Sequence, residues 1–276
     1  DLVDRLESHL ADGQLIPSSQ VERVETDGDG AAVTISRQGR TQRIRTRLVV
    51  HAEGTPADDP DVRMRDYGQH AVVCEVRAAT PPAGRAWERF TAEGPLALLP
   101  LGAGYAVVFT VPPEKAAQLL ALDDAGFLAA IGERLGRRLE LVAAGPRAAF
   151  PLALRVRRHL VRPRQVWLGN TAQTLHPVSG QGFNLGLRDA WELAEVLLEH
   201  SLDDAGQAGP LAAYARGRQP DRLGSLAFTD GVVRLFSNDL PPLRLARGFG
   251  LLALDLVPPL RHFVARRMIW GARAWP

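Results

Sequence analysis

The chain has one cysteine, Cys74, in 276 residues. That excludes an internal disulfide and any thiolate metal cluster, and it suits a reducing cytoplasm. Seven histidines are scattered without the spacing of a metal site. No apolar run reaches the ~18 residues of a spanning helix, and no signal peptide is visible. The expected setting is therefore cytoplasmic, with a peripheral place on the inner membrane left open. A net charge of +2 argues against a protein that coats nucleic acid. There is no internal repeat and no low-complexity tract. No Gly-x-Gly-x-x-Gly follows a strand near the start, so the usual dinucleotide fingerprint is missing.

What is present reads as soluble and globular, with 46% apolar and 23% charged residues. The length allows one large domain or two small ones. Leu2, Val3, Leu6 and Leu10 recur at helical spacing, and Gly13 is a stop. Short β-prone runs from Val21 to Val50 are separated by Asp27-Gly28-Asp29-Gly30 and Gln38-Gly39, which read as hairpin turns. Pro56 to Pro60 resembles a linker. Residues 70–110 read as antiparallel strands, and Glu114–Leu122 and Asp124–Leu135 as helices, the second closed by Gly136. A further strand is expected over Leu139–Ala144. The last ~70 residues look helical and broken at Pro220, Pro241-Pro242 and Pro258-Pro259. Cys74 falls in an apolar strand pattern and reads as core.

The most informative stretch runs from Gly169 to Asp189. A β-prone run, Gln165 to Leu168, ends at Gly169. A polar loop then carries Pro177 and Gly180-Gln181-Gly182, and an amphipathic helix follows. A helix start almost bare of side chains presents backbone N–H groups and the positive end of a dipole to a polar or anionic group. Its glycines let a flat ligand come close. A nicotinamide fingerprint on Gly180, Gly182 and Gly186 is discounted, because those glycines do not directly follow the strand. Ser179 lacks the preceding glycine of a nucleophile elbow.

Gly169-Asn170, Gln173, Pro177, Gly180-Gln181-Gly182, Asn184 and Asp189 together resemble the second flavin motif of the class A flavoprotein aromatic hydroxylases. Asn170 stands for that family's Asp and Gln173 for its His. With Thr174-Leu175-His176-Pro177, these changes resemble the ubiquinone-biosynthesis (UbiH-type) branch. Asp66 to Val73, Trp87 to Thr91, Gly94 to Pro100 and Phe150 to Leu154 fall in the same order as in that branch.

The resemblance implies an α/β (α+β) fold: a Rossmann-like FAD/NAD(P)-binding domain lacking its first βαβ unit, an inserted, mostly antiparallel substrate sheet, and a helical tail. The expected division is 1–55 and 151–200 for the flavin domain, 56–150 for the sheet and 201–276 for the tail. The chain is expected to be part of a longer protein and to hold FAD weakly alone.

The resemblance also implies site residues. Gly169, Asn170, Pro177, Gly180, Gln181, Gly182, Phe183 and Asn184 would meet the flavin, with Glu53-Gly54 near its pyrophosphate. Pro177 would face the ring of a phenol, and His176 is a candidate proton relay. Arg89, Phe90 and Leu98 are candidates for the substrate cavity, although alternation lets only half of those strand residues face it.

The implied reaction hydroxylates a polyprenylated phenol in ubiquinone biosynthesis, using NAD(P)H and O2 through a C4a-hydroperoxyflavin. Two alternatives are a non-catalytic scaffold or lipid-docking component of a ubiquinone-biosynthesis complex, and a hydroxylase of a small non-prenylated phenol. From Leu243 to Pro276, six arginines stand against Asp255 alone, about +5 locally. With Phe249, Leu251, Leu252, Phe263, Trp270 and Trp275, that tail suggests a membrane surface or a partner enzyme.

Overall fold

The computed structural model describes residues 2–55, 59–136, 138–200, 202–236 and 241–271. Residues 56–58 of the expected linker, and Arg273 and Trp275 of the tail, lie outside the described residues. Helix α1 (Leu2–Glu7) precedes β1 (Ser19–Thr26), β2 (Ala31–Arg37), β3 (Arg40–Thr46) and β4 (Val49–His51). Strands β1 to β3 form an antiparallel meander. Its first turn is held by Asp27, whose carboxylate accepts from the amides of Asp29 and Gly30. Its second has φ of 51° at Gln38 and 74° at Gly39, the left-handed pair that matches strand twist.

Next come β5 (Val62–Ala78), β6 (Trp87–Thr91), β7 (Gly94–Leu101), β8 (Gly104–Val111), α2 (Pro113–Ala121), α3 (Asp124–Leu135), β9 (Leu141–Ala144) and β10 (Ala148–Arg157). They are followed by β11 (Val161–Arg162), β12 (Gln165–Trp167), β13 (Gln173–Thr174), α4 (Gln181–Glu199), α5 (Ala208–Phe236), α6 (Pro241–Leu256) and α7 (Pro258–Trp270). The large sheet runs β13-β10-β5-β8-β7-β6, and β9 also pairs with β5. Strand β10 is continuous across residue 150, pairing antiparallel with β5 from Ala148↔Val73 to Arg157↔Val62 with one register shift between Leu152 and Ala153.

Alternation sorts the two faces of this sheet. Val72, Cys74 and Val76 of β5, Leu96 and Leu98 of β7, and Val107 and Phe109 of β8 are buried together against Leu119 of α2 and Phe127 and Ile131 of α3. Cys74 is core, and burial pushes its thiol pKa up. Helix α3 starts where Asp123 accepts from the Gly126 amide at 2.8 Å, and it closes at Gly136 with φ of 72°.

A third, small sheet has the order β11-β12-β4, and β12 runs parallel to β4 with Trp167 opposite His51. Both carboxyl ends therefore open at one edge, the usual place for a ligand in parallel α/β sheets. His51 and Trp167 stack there, centroids 4.5 Å apart and ring planes nearly parallel.

The expected break at Pro220 is absent, since α5 runs through it. A proline removes one helical bond and crowds one turn. Buried ion pairs of Arg218 and Asp221, on either side of Pro220, tie both halves to α4. Pro241-Pro242 and Pro258-Pro259 instead open α6 and α7, where a missing N–H costs little. The strand expected from Leu139 begins at Leu141, and the helix expected over Glu114–Leu122 is shifted by one residue.

The sorting of faces predicts the outcome of two substitutions. Leu98→Ala should cost about 3 kcal/mol of stability, because Leu98 is fully buried. Leu101→Ala, half exposed at the end of the same strand, should cost under about 1 kcal/mol. Urea unfolding midpoints measure both, and equal losses would refute the assigned faces.

Candidate functional site

The loop between β12 and α4 is built from tight turns. Gly169 has φ of 61° and opens a 3-10 turn, Gly169–Thr171. The Thr171 hydroxyl lies 2.8 Å from the His51 carbonyl and so ties this turn to β4. A second 3-10 turn, Pro177–Ser179, ends at Gly180, which is left-handed at φ 59°, ψ 14° and caps α4. A Cβ built on Gly180 or Gly182 would meet nothing within 4 Å, so a flat ring has room to reach the backbone there. Behind the loop the packing is tight. A Cβ on Gly186 of α4 would lie 3.3 Å from the Gly169 Cα.

Asp189 of α4 holds this arrangement. Its buried carboxylate accepts from the Gly169 amide at 2.9 Å, the Gln173 carboxamide at 2.7 Å and the Arg218 guanidinium at 2.7 Å. Gln173 accepts from Arg222, which also donates to the Ala172 carbonyl. Arg218 is fully buried and also meets Glu192 and Asp221. Burial works against its charge, but the three carboxylates outweigh that and raise its pKa. Arg218 and Arg222 were not anticipated from sequence, where nothing marks them apart from other helix arginines.

His176 is 1% exposed. Its Nδ1 accepts from the Val178 amide at 3.1 Å, which shapes the Pro177 turn. That contact leaves the ring proton on Nε2, a buried atom without a hydrogen-bond partner. The ring meets Tyr67 edge-on at 5.1 Å. Burial pulls the His176 pKa down to about 4.

Pro177, Val178 and Gly180 share a cavity of about 280 Å³ with Trp87, Glu88, Pro95, Ala97, Leu99, Val108 and Thr110. Glu88, Pro95, Ala97, Leu99, Val108 and Thr110 are the residues of β6, β7 and β8 that point away from the helices, whereas Trp87 reaches the cavity from the edge and packs on the core side, opposite Leu98. Leu98 is therefore not a cavity residue, since alternation turns it into the core with Leu96 and Phe109. Phe90 packs on Phe236 at 4.1 Å, and Arg89 lines a shallow hollow with it and Arg247 that adjoins this cavity at Glu88. Glu53 and Gly54 follow β4. The next residue, Thr55, bonds Thr174 at 3.1 Å, which brings this turn beside the glycine loop. Asn170 is exposed at the carboxyl end of β12, and Gln181 is buried. Phe183 is 61% exposed, and Asn184 lines a groove with Trp191 and Trp270 on the outer side of α4. Thr110 and Glu88 were missed because strand alternation alone cannot set which half faces a ligand.

The FAD binding domain family matches residues 1–222. The chain belongs to that family. Ubiquinone hydroxylase UbiL of Rhodospirillum rubrum is 36% identical over 271 residues, 95% of this chain and 62% of that protein. The 3-demethoxyubiquinol 3-hydroxylase of Escherichia coli is 34% identical, over 79% of this chain and 58% of its own length. The chain thus spans about 60% of the length of these relatives. Among solved structures, PqsL of Pseudomonas aeruginosa, a probable FAD-dependent monooxygenase, aligns with a TM-score of 0.64 and 25% identity, over 80% of this chain and 64% of that one. The fold also matches p-nitrophenol 4-monooxygenase PnpA of Pseudomonas putida, with a TM-score of 0.70 and 17% identity, over 92% of this chain and 67% of that one.

The state of His176 has a measurable consequence. Its native pKa, about 4, lies below the ordinary histidine value of 6.5. The unfolded chain therefore binds a proton that the native state refuses. The contribution is complete above about pH 6.5 and is lost as pH falls toward 4. The stability difference between wild type and His176→Gln should shrink by about 3 kcal/mol from pH 7 to pH 4. Denaturant titrations across that range check it, and a constant difference would show that His176 takes up its proton in the fold as readily as in the unfolded chain.

Proposed function

We propose that the chain forms the flavin-edge and substrate part of an FAD-dependent aromatic monooxygenase. Its substrate is a polyprenylated phenol of ubiquinone biosynthesis, with NAD(P)H and O2 as co-substrates. The observation that carries this reading is the shared cavity: the turn from Pro177 to Gly180 and an apolar strand face enclose one space. The names of the relatives, ubiquinone hydroxylases among them, support the substrate class.

The exposed backbone of Gly180 and Gly182 fits the edge of an isoalloxazine, and Asn170 and Gly54 fit the remainder of FAD at the strand ends. When bound, the flavin supplies the redox step, taking electrons from NAD(P)H and passing one oxygen atom of O2 to the ring. The chain's own groups do the rest. The α4 N-terminus favours negative charge at the ring edge. Pro177, Ala97, Leu99 and Val108 exclude water around an aromatic head. His176, neutral at physiological pH with its one ring proton on Nε2, fixes the Pro177 turn and relays no proton. The cavity accommodates a substituted phenol, and a polyprenyl chain extends beyond it.

Gly182→Val tests this in the flavin-loaded full-length protein. A Cβ there meets no protein atom within 4 Å, so fold and Tm should hold while flavin content falls by tenfold or more, a cost of about 1.4 kcal/mol. Wild-type flavin content in that variant would refute the placement.

A peripheral membrane position belongs to the same proposal. Among the described residues no helix is long and apolar enough to cross a membrane. Phe249, Leu252 and Leu256 of α6 and Phe263, Ile269 and Trp270 of α7 are exposed. Arg261 and Arg266 are also exposed, while Arg247 caps the carbonyls of Leu235 and Phe236. Anionic liposomes should bind the full-length protein at low salt. Arg261→Gln with Arg266→Gln should weaken binding by roughly 2 kcal/mol at most. Co-sedimentation unaffected by salt or by these changes would remove the electrostatic part of the proposal.

A further inference from the structure

The cavity contains a polar feature that the reading above leaves unused. Thr110 is fully buried on β8 and lines the cavity, and its hydroxyl has no hydrogen-bond partner. Gln69 of β5 is 8% exposed and lies beside it. Gly94 shows that the two side chains are neighbours, through Thr110 Cγ2 and Gln69 Nε2. A Cβ there would lie 2.7 Å from Thr110 Cγ2 and 3.0 Å from Gln69 Nε2. Gln69 Nε2 donates to the Glu93 carbonyl at 2.6 Å, and the Glu93 carboxylate is clamped by Lys115 and Arg134 at 2.8 and 2.7 Å. The carboxamide orientation is set by that bond, which leaves Oε1 as a buried acceptor without a donor.

Resting on the hydroxylase reading, we infer that Thr110 and Gln69 form the polar recognition point for a neutral ring hydroxyl. The phenol O–H donates to Gln69 Oε1, and its oxygen accepts from the Thr110 hydroxyl. Two buried groups that cost free energy while unpaired become paired only when the ring arrives. The same pair discriminates. Glu88 is the one ionisable side chain among the described lining residues. A ring carrying a carboxylate finds no cation there and meets an acid instead. Crowding by surrounding protein pushes the Glu88 carboxyl pKa up, in line with a wall hostile to negative charge. The ligand class is thus a neutral phenol, with carboxylated phenols excluded.

The test uses flavin-loaded full-length protein and three probes: ortho-prenylphenol, its methyl ether, and the same phenol bearing a para carboxylate. Dissociation constants come from equilibrium dialysis. Wild type should prefer the phenol to the ether by roughly fivefold to tenfold, and bind the carboxylate more weakly than either. Thr110→Val should erase the preference for the phenol over the ether, and Thr110→Ser should keep it. Ligand-free Thr110→Val should also melt about 2 °C or more above wild type, since it removes an unpaired buried hydroxyl. A lower Tm would mean that the hydroxyl has an internal partner, and would overturn the inference. So would an unchanged preference in Thr110→Val, or tight carboxylate binding by wild type. If flavin-loaded wild type binds none of the probes, the hydroxylase reading itself fails and this assignment falls with it.

Discussion

The site depends on one buried carboxylate. Asp189 sits on α4, yet its oxygens reach the first amide of the loop at Gly169, the side chain of Gln173 and the guanidinium of Arg218 on α5. Strand end, loop and two helices are thereby locked to one point. A buried ion pair of this kind contributes little net stability against an apolar replacement, because desolvation offsets the attraction. Its effect is positional. Removing either partner would leave a charge stranded in a dry interior, so the loop has no cheap alternative conformation. That rigidity lets the turn from Pro177 to Gly182 stay open on its outer side without collapsing onto the helix.

The parts of this arrangement legible from sequence are those with a local cause. Gly169 and Gly180 adopt positive φ, and Asp27 and Gly39 shape hairpin turns, for reasons contained within a few residues. Helix α3 was legible as Asp124–Leu135, with one apolar face and Gly136 as its close, and the structure adds the cap at Asp123. The parts that were not legible are set by distant partners. Pro220 reads as a breaker, but ion pairs from Arg218 and Asp221 to α4 carry the helix past it. Leu98 and Leu99 are alike in sequence. Only the packing of α2 and α3 on one face decides that Leu98 is core and that Leu99 looks into the cavity. Gln173, read from sequence as a replacement for the family's His, turns out to be the link between Asp189 and Arg222.

The distribution of polar groups around the cavity follows the same logic. Protein interiors pair nearly all their buried donors and acceptors. Here Thr110 Oγ1, Gln69 Oε1 and His176 Nε2 lack partners, and they belong to side chains on β8, β5 and the Pro177 turn. Thr110 lines the cavity, Gln69 is its neighbour on the same sheet, and His176 supports the turn that closes it. An interior designed for stability alone would carry apolar residues at such positions, so the unpaired groups point to a requirement other than folding.

His176 shows how such a cost can serve geometry instead of proton transfer. A histidine near its ordinary pKa would exchange charge with every small change in pH, and the turn it supports would respond. Buried against Tyr67 and bonded to the Val178 amide, it stays neutral across the physiological range. The Pro177 turn then keeps one shape whatever the charge on nearby groups. Fixed backbone dipoles at α4 act without reorganising, which is what a site that stabilises developing charge needs. The chain therefore places its titratable groups out of reach of the cavity, with Glu88 as the described exception, and leaves the work of that surface to backbone, shape and unpaired hydrogen-bonding atoms.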